Sequence, residues 1–175
     1  MYQLIINFKT YEESTGDHAI TIAQAAKELE SEAQARNVEI ILCPQILDIR
    51  EVVAEGVKVF SQHVDSYDYG AHTGFTIPHA LKEAGVSGTL ISHSEHILDL
   101  ESIKQDMEAA KAQGLRTCVC ARDAETAGHI AALHPGSIAV EPPELIGGDI
   151  SIATAKPELI TTSLSAVHSV PLLVG

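Results

Sequence analysis

Short apolar runs alternate with amphipathic stretches from one end of the chain to the other. Leu4–Asn7 reads as a strand, followed by a helix over Asp17–Ala35, in which Ala19, Ile22, Ala23, Ala26, Leu29 and Ala33 recur at helical spacing. Val38–Cys43 and Val57–His63 predict the second and third strands, with a short helix through Ile46–Ala54 between them. A long polar loop leads to a helix at Pro78–Ala84, opened by a proline, which suits a first helical turn. Thr89–His93 is the fourth strand, and its helix, Glu101–Ala112, is closed by Gly114 as a C-cap. Arg116–Ala121 and Ser137–Glu141 are the fifth and sixth strands, separated by a helix at Ala124–Leu133 that Asp123 caps. A long loop, a helix at Pro157–Val167 and the apolar run Pro171–Gly175, which opens a seventh strand, complete the pattern.

Strands alternating with helices at this spacing predict right-handed βαβ units and a parallel sheet. Near-continuous apolar strands such as Ile40-Ile41-Leu42-Cys43 suit a sheet covered on both faces. An open doubly wound sheet and a (β/α)₈ barrel both satisfy this. No Gly-x-Gly-x-x-Gly follows the first strand, and polar residues sit at the C-terminal ends of strands one, four and six, where barrel enzymes keep their chemistry. The expected fold is therefore α/β, a barrel of about seven parallel strands in a single domain over residues 1–175. Eight units close a barrel of ~250 residues. The expectation is thus of an incomplete barrel lacking its C-terminal strand and helices, or one completed by another segment.

Charge narrows the partners. Twenty-four acidic side chains against 11 basic ones give a formal net of −13, the wrong sign for nucleic-acid phosphates. The same field repels small anions, so an anion site here needs local donors such as a buried lysine or helix-start N–H groups. No apolar run approaches the ~20 residues of a membrane helix, and the first residues have neither a basic region nor a cleavage site. A cytoplasmic location is expected. Cys43, Cys118 and Cys120, odd in number and in apolar strands, read as reduced core thiols and not as a disulfide framework.

Three polar positions invite chemistry, each with a bland counterpart. Asn7 and Lys9 are two apart, so an ideal strand would aim both at one face, into a barrel mouth; a strand-end lysine can equally snorkel to water. His93 ends strand four with Glu95 beside it, as an acid, base or electrophile held by a neighbour. His93 and His96 also raise a metal reading, but Ser94-Glu95 between them does not give helical His-Glu-x-x-His geometry and no further ligand cluster is evident. Glu141 ends an apolar strand, where desolvation suits a general base. Pro142-Pro143 and Gly147-Gly148 after it have the composition of a hinged lid, or of a surface turn.

Taken together these segments resemble one family. Ile6-Asn7-Phe8-Lys9-Thr10-Tyr11, Ser92-His93-Ser94-Glu95-His96 and Val140-Glu141-Pro142-Pro143-Glu144-Leu145-Ile146-Gly147 look like the three signature segments of the triosephosphate isomerases. Gly70-Ala71-His72-Thr73-Gly74 resembles that family's intersubunit loop. The lid and the residue after Ser-Glu match its shorter archaeal branch. The resemblance implies a TIM barrel that interconverts dihydroxyacetone phosphate and glyceraldehyde 3-phosphate without a cofactor or metal. It implies Glu141 as the proton-transferring base and His93 as the neutral electrophile. Lys9 would stabilise negative charge, Asn7 would orient the substrate, and Glu95 would pair with Lys9 at rest. Ile146, Gly147 and Gly175 are implied as substrate-binding positions. A homodimer or homotetramer is implied, with Thr73 reaching a neighbour's site, and glycolysis or gluconeogenesis as the setting.

Two departures from the pattern matter. Gly147-Gly148-Asp149 stands where the lid usually reads Gly-Thr-Gly, adding a negative charge near a phosphate. The family's further phosphate donors follow strands seven and eight, beyond Gly175. The 175-residue chain is therefore expected to be a poor catalyst despite its reacting groups, and its free edges to promote association. Competing readings are a different barrel enzyme on a phosphorylated metabolite and a non-catalytic barrel fragment acting through association. A Schiff-base aldolase is disfavoured, because strands five and six offer Cys118, Cys120 and Glu141 instead of a lysine.

Overall fold

The computed structural model describes residues 1–142, 152–168 and 170–175. Seven parallel strands follow one another in chain order: β1 (Tyr2–Asn7), β2 (Val38–Cys43), β3 (Lys58–Ser61), β4 (Gly88–Ile91), β5 (Arg116–Ala121), β6 (Ser137–Val140) and β7 (Leu172–Val174). Each pairs in parallel with its sequence neighbour, Tyr2 opposite Val38 at one end of the series and Val140 opposite Val174 at the other. The sheet curves into a nearly closed barrel, and among the described residues no ladder joins β7 to β1. Helices α1 (Asp17–Ala35), α2 (Ile49–Ala54), α3 (Pro78–Glu83), α4 (Leu100–Ala112), α5 (Ala124–Ala131), α6 (Ile152–Ala155) and α7 (Pro157–Val167) connect the strands.

The period of two along each strand divides the core into an inner and an outer compartment. Ile41, Cys43, Phe60, Leu90 and Cys118 point inward and pack with Ile5, Ala139 and Leu173. Leu42, Val59, Val119, Ile138 and Val140 point outward, against Ala19, Ala23, Ile103, Met107, Ala127 and Ile130 of the helices. Gly88 is dictated by this filling. A Cβ there would lie 2.4 Å from the Phe60 ring and 2.7 Å from the Arg116 carbonyl, so only glycine lets Phe60 occupy the lumen. Arg116 lies over the same ring at 5.0 Å and binds Glu39 at 2.8 Å, with Lys58 on the other oxygen at 2.9 Å.

The helix ends follow their local chemistry. Asp99 and Asp123 accept the Ser102 and Thr126 N–H groups at 2.8 Å, capping α4 and α5. Gly114 takes φ 69° after α4 while the Leu115 N–H reaches back to the Ala110 carbonyl.

Several boundaries differ from the sequence expectation, and the differences fall where function gathers. The third strand stops at Ser61, leaving Gln62 and His63 beyond it. The fourth runs Gly88–Ile91, so His93 is not a strand residue: Ser92 turns left-handed at φ 59° and breaks the ladder first. The second helix starts at Ile49, not Ile46, behind a turn closed by the Asp48 N–H on the Gln45 carbonyl. Helix α6 occupies part of the stretch expected to be loop.

The three thiols are free and buried. Burial raises Cys118 to about 11 and lifts Cys43 and Cys120 well above the ordinary thiol range. All three should therefore resist iodoacetamide at pH 8 in the folded protein and react together on unfolding in urea, as read by intact-mass spectrometry.

Candidate active site

Asn7 closes β1, and Lys9 stands two residues on with φ 51°, a left-handed turn and not a continued strand. The Lys9 N–H donates to the Asn7 side-chain oxygen at 3.0 Å, so the asparagine shapes the turn and leaves its amide N–H₂ available. The Asx turn therefore links the Asn7 side chain to the Lys9 backbone, where strand alternation would have set the two side chains on one face. Gln62, just past β3, holds the turn from below. Its side-chain amide donates to the Lys9 carbonyl at 2.8 Å and to the Cys43 carbonyl at 3.0 Å, joining the ends of three strands.

Sequence reasoning missed Gln62, whose only signal is an amide directly after an apolar strand. Gln62→Glu should expose its importance: an ionised carboxylate cannot donate and would face two carbonyl oxygens. Leaving two acceptors unmet costs on the order of 3 kcal/mol. The loss should be largest at pH 8 and shrink relative to wild type near pH 5, where a protonated carboxyl regains one donor. The carboxyl's pKa would be raised by folding, so stability drains as pH climbs through it. Urea titrations at the two pH values check this.

Lys9 is largely sheltered, and its Nζ lies 3.0 Å from Glu95 Oε1. Burial pulls its pKa down, but the bond and charge of Glu95, helped by Tyr11, outweigh that and hold it above the ordinary lysine value. The ammonium is a fixed positive charge in an acidic protein.

His93 is buried, in the turn that ends with the His96 N–H on the His93 carbonyl at 2.7 Å. The Glu95 backbone N–H points at His93 Nδ1 at 3.2 Å. A peptide N–H can only donate, so Nδ1 accepts and the neutral ring carries its proton on Nε2. Glu95 Oε2 lies 3.4 Å from the same nitrogen, but Lys9 engages that carboxylate and offsets its charge.

Glu141 follows β6 directly, its N–H on the Ala121 carbonyl. Its Oε2 lies 3.4 Å from His93 Nε2 and is buried without a hydrogen-bond partner. Buried carboxylate oxygens are normally satisfied, so this one stands out as an acceptor with no donor among the described residues. Asn7, His93, Glu141 and Gly175 line one end of a cavity of about 550 Å³ that continues into the lumen past Leu90, Cys118 and Cys120. Gly175 lies so close that a Cβ on it would stand 3.0 Å from Glu141 Oε1, and its N–H faces the Val140 carbonyl at 3.4 Å.

Of the positions singled out in the sequence, Lys9, Glu95, His93 and Glu141 thus form one continuous line of polar contacts, with Asn7 at its start and Gly175 beside its end. His96 is not in it; its ring lies on His63. Among the described residues no group of three or more His, Cys, Asp or Glu side chains could hold a metal ion. Ile146, Gly147 and Asp149 lie outside the described residues.

A buried carboxylate facing an imidazole nitrogen at the C-terminal end of a parallel barrel, in line with a lysine, is an arrangement suited to acid–base chemistry. The family model for triosephosphate isomerase matches residues 2–172. The chain is 44 % identical over 168 residues to the triosephosphate isomerase of Methanococcoides burtonii, covering 95 % of this chain and 75 % of that one. It is 40 % identical to that of Methanobacterium bryantii and 39 % to that of Methanocaldococcus jannaschii, covering 95 % of this chain and 73 % and 75 % of theirs. The chain belongs to the triosephosphate isomerase family, and with it to the isomerases. No finding favours the alternative of a fragment acting only through association.

Proposed function

We propose that the protein interconverts dihydroxyacetone phosphate and D-glyceraldehyde 3-phosphate, with Glu141 carrying the proton. The observation that supports this most is the unpartnered Glu141 Oε2, set 3.4 Å from a His93 Nε2 whose proton the Glu95 N–H fixes in place. With dihydroxyacetone phosphate in the mouth, Glu141 removes a proton from C1. The C–H electron pair forms the C1–C2 double bond, and the carbonyl pair moves onto the C2 oxygen as an enediolate. His93 Nε2–H donates to the enediolate oxygens and carries a proton between them. Protonated Glu141 then returns its proton to C2, giving the aldehyde and restoring the carboxylate. No electrons leave the substrate, so the reaction needs no redox cofactor.

Lys9 supplies the positive charge that the enediolate and phosphate require in a protein of net charge −13. Its exchange of Glu95 for substrate oxygens is the step that admits the ligand. Asn7, whose side-chain oxygen takes the Lys9 N–H, keeps its amide N–H₂ to orient the substrate. Gly175 contributes closeness: its missing side chain leaves room at Glu141 for the reacting carbons. Ile146 and Gly147 are proposed to bring backbone N–H groups to the phosphate.

The protein is further proposed to be a cytoplasmic homodimer or homotetramer acting in glycolysis or gluconeogenesis. No helix among the described residues is long and apolar enough to cross a membrane. The loop carrying Thr73 is stiffened by Tyr67, stacked on His72 at 4.4 Å and edge-on to Phe75 at 4.7 Å. Tyr67 and Phe75 are 42 % and 49 % exposed, an aromatic surface suited to a second copy.

The direct test is solvent exchange. In deuterated water the protein should place deuterium at the carbon next to the carbonyl of recovered triose phosphate, read by mass spectrometry. Recovered substrate and product both free of deuterium would defeat the proposal.

A further inference from the structure

The His63–His96 ring pair lies outside the line of reacting groups but against the turn that carries two of them. The ring centroids are 4.3 Å apart with the planes tilted by 32°. His96 closes the turn through its N–H on the His93 carbonyl, and Glu95, between them, gives its own N–H to His93 Nδ1. Apart from the Lys9–Glu95 ion pair at 3.0 Å, that turn has little else to hold it. It follows the left-handed Ser92, whose hydroxyl accepts the Leu98 N–H at 3.1 Å, and Glu95 and His96 are exposed.

His63, by contrast, is anchored. Its Nε2 lies 3.1 Å from Asp65 Oδ1, and Asp65 exchanges two further bonds with Thr76, its N–H on the Thr76 carbonyl at 2.8 Å and its Oδ2 taking the Thr76 N–H at 2.6 Å. Asp106 of α4, buried and bonded to Ser66, is close enough to His63 for the two to interact electrostatically. His63 is thus a fixed plate at the end of β3, and His96 is the one ring of the His93–His96 turn that rests on it.

We propose that His63 and His96 are positioning residues for His93: their ring contact holds the turn in the one arrangement that aims the Glu95 N–H at His93 Nδ1. Released from His63, the turn samples conformations in which that N–H points elsewhere. The His93 proton then divides between the two nitrogens, and the fraction of sites presenting Nε2–H to the mouth falls. Neither residue touches the reacting atoms; both act through the tautomer. The kinetic consequence rests on the role proposed above for His93, whereas the tautomer itself does not.

The experiment compares wild type, His96→Ala, His63→Ala, the double variant and His96→Phe, which keeps a flat ring but no titratable nitrogen. Long-range proton–nitrogen spectra of histidine-labelled protein, with the His93 signal assigned by its loss in His93→Gln, read the tautomer directly. His96→Ala and His63→Ala should move the two His93 nitrogen shifts toward each other. Each should lower kcat about tenfold with KM within about twofold, and the double variant should be no worse than either. His96→Phe should restore both readouts. Unchanged His93 shifts in both alanine variants overturn the proposal, as does a phenylalanine variant no better than alanine. If wild type shows a single Nε2–H tautomer that the variants lose, yet no turnover, positioning stands and the isomerase reading fails.

Discussion

Glu141→Gln is expected to lower kcat by about 10³ to 10⁴-fold while leaving the protein folded. The substitution keeps the size and planarity of the side chain and removes the one property the reaction uses, the capacity to accept a proton. In the resting molecule Oε2 is buried with no hydrogen bond among the described residues and only His93 Nε2 at 3.4 Å, so the fold draws little on the charge it holds there. A neutral amide in its place should leave the thermal midpoint unchanged or higher. Loss of exchange with deuterated solvent, alongside an intact circular dichroism melt, is the expected pair of results. A variant within tenfold of wild type would remove Glu141 from the role of base.

Lys9→Met is expected to lower kcat/KM by about 10² to 10³-fold. Methionine keeps much of the aliphatic stem, so the losses come from the charge. One loss is direct: the enediolate and the phosphate no longer meet a cation, in a protein whose overall field repels them. The other runs through Glu95. Without Lys9 its carboxylate has no counter-charge, and its Oε2 stands 3.4 Å from His93 Nδ1. That favours a proton on Nδ1 at the expense of Nε2, the nitrogen that faces Glu141. Lys9→Arg should not restore the rate, because a planar fork on a different stem cannot reproduce a point charge at the end of a left-handed turn. Normal kinetics in Lys9→Met would show that the lysine only pairs with Glu95.

The fold was legible because its grammar is local. Runs such as Ile40-Ile41-Leu42-Cys43, the cap at Asp123, the Gly114 stop after α4 and the spacing of strand to helix all state their structure within a few residues. Glu141 and His93 were legible as strand-end polar residues, although neither lies within a strand; each sits one or two residues past the ladder. What stayed hidden depends on contact between distant segments. Nothing in Gln62 announces that its amide will bridge the carbonyls of Lys9 and Cys43, and nothing in His96 announces a partner 33 positions earlier. Asn7 and Lys9 were expected to share a strand face, whereas the link between them is the Lys9 N–H on the Asn7 side-chain oxygen in a left-handed turn. Period-two reasoning fails wherever the backbone turns left-handed, and Lys9 and Ser92 both do so at the mouth.

Those two residues have a wider consequence. Lys9 and Ser92 adopt left-handed conformations just outside their ladders, at φ 51° and 59°. A non-glycine residue held there is disfavoured by about 1 kcal/mol, a tension the surrounding barrel must sustain. Lys9 and the His93 turn thus sit on short, strained outcrops of a rigid wall. Such a molecule can lose its chemistry without melting and can be reinforced in its walls without being retuned, so heat tolerance and turnover are free to drift apart among its descendants.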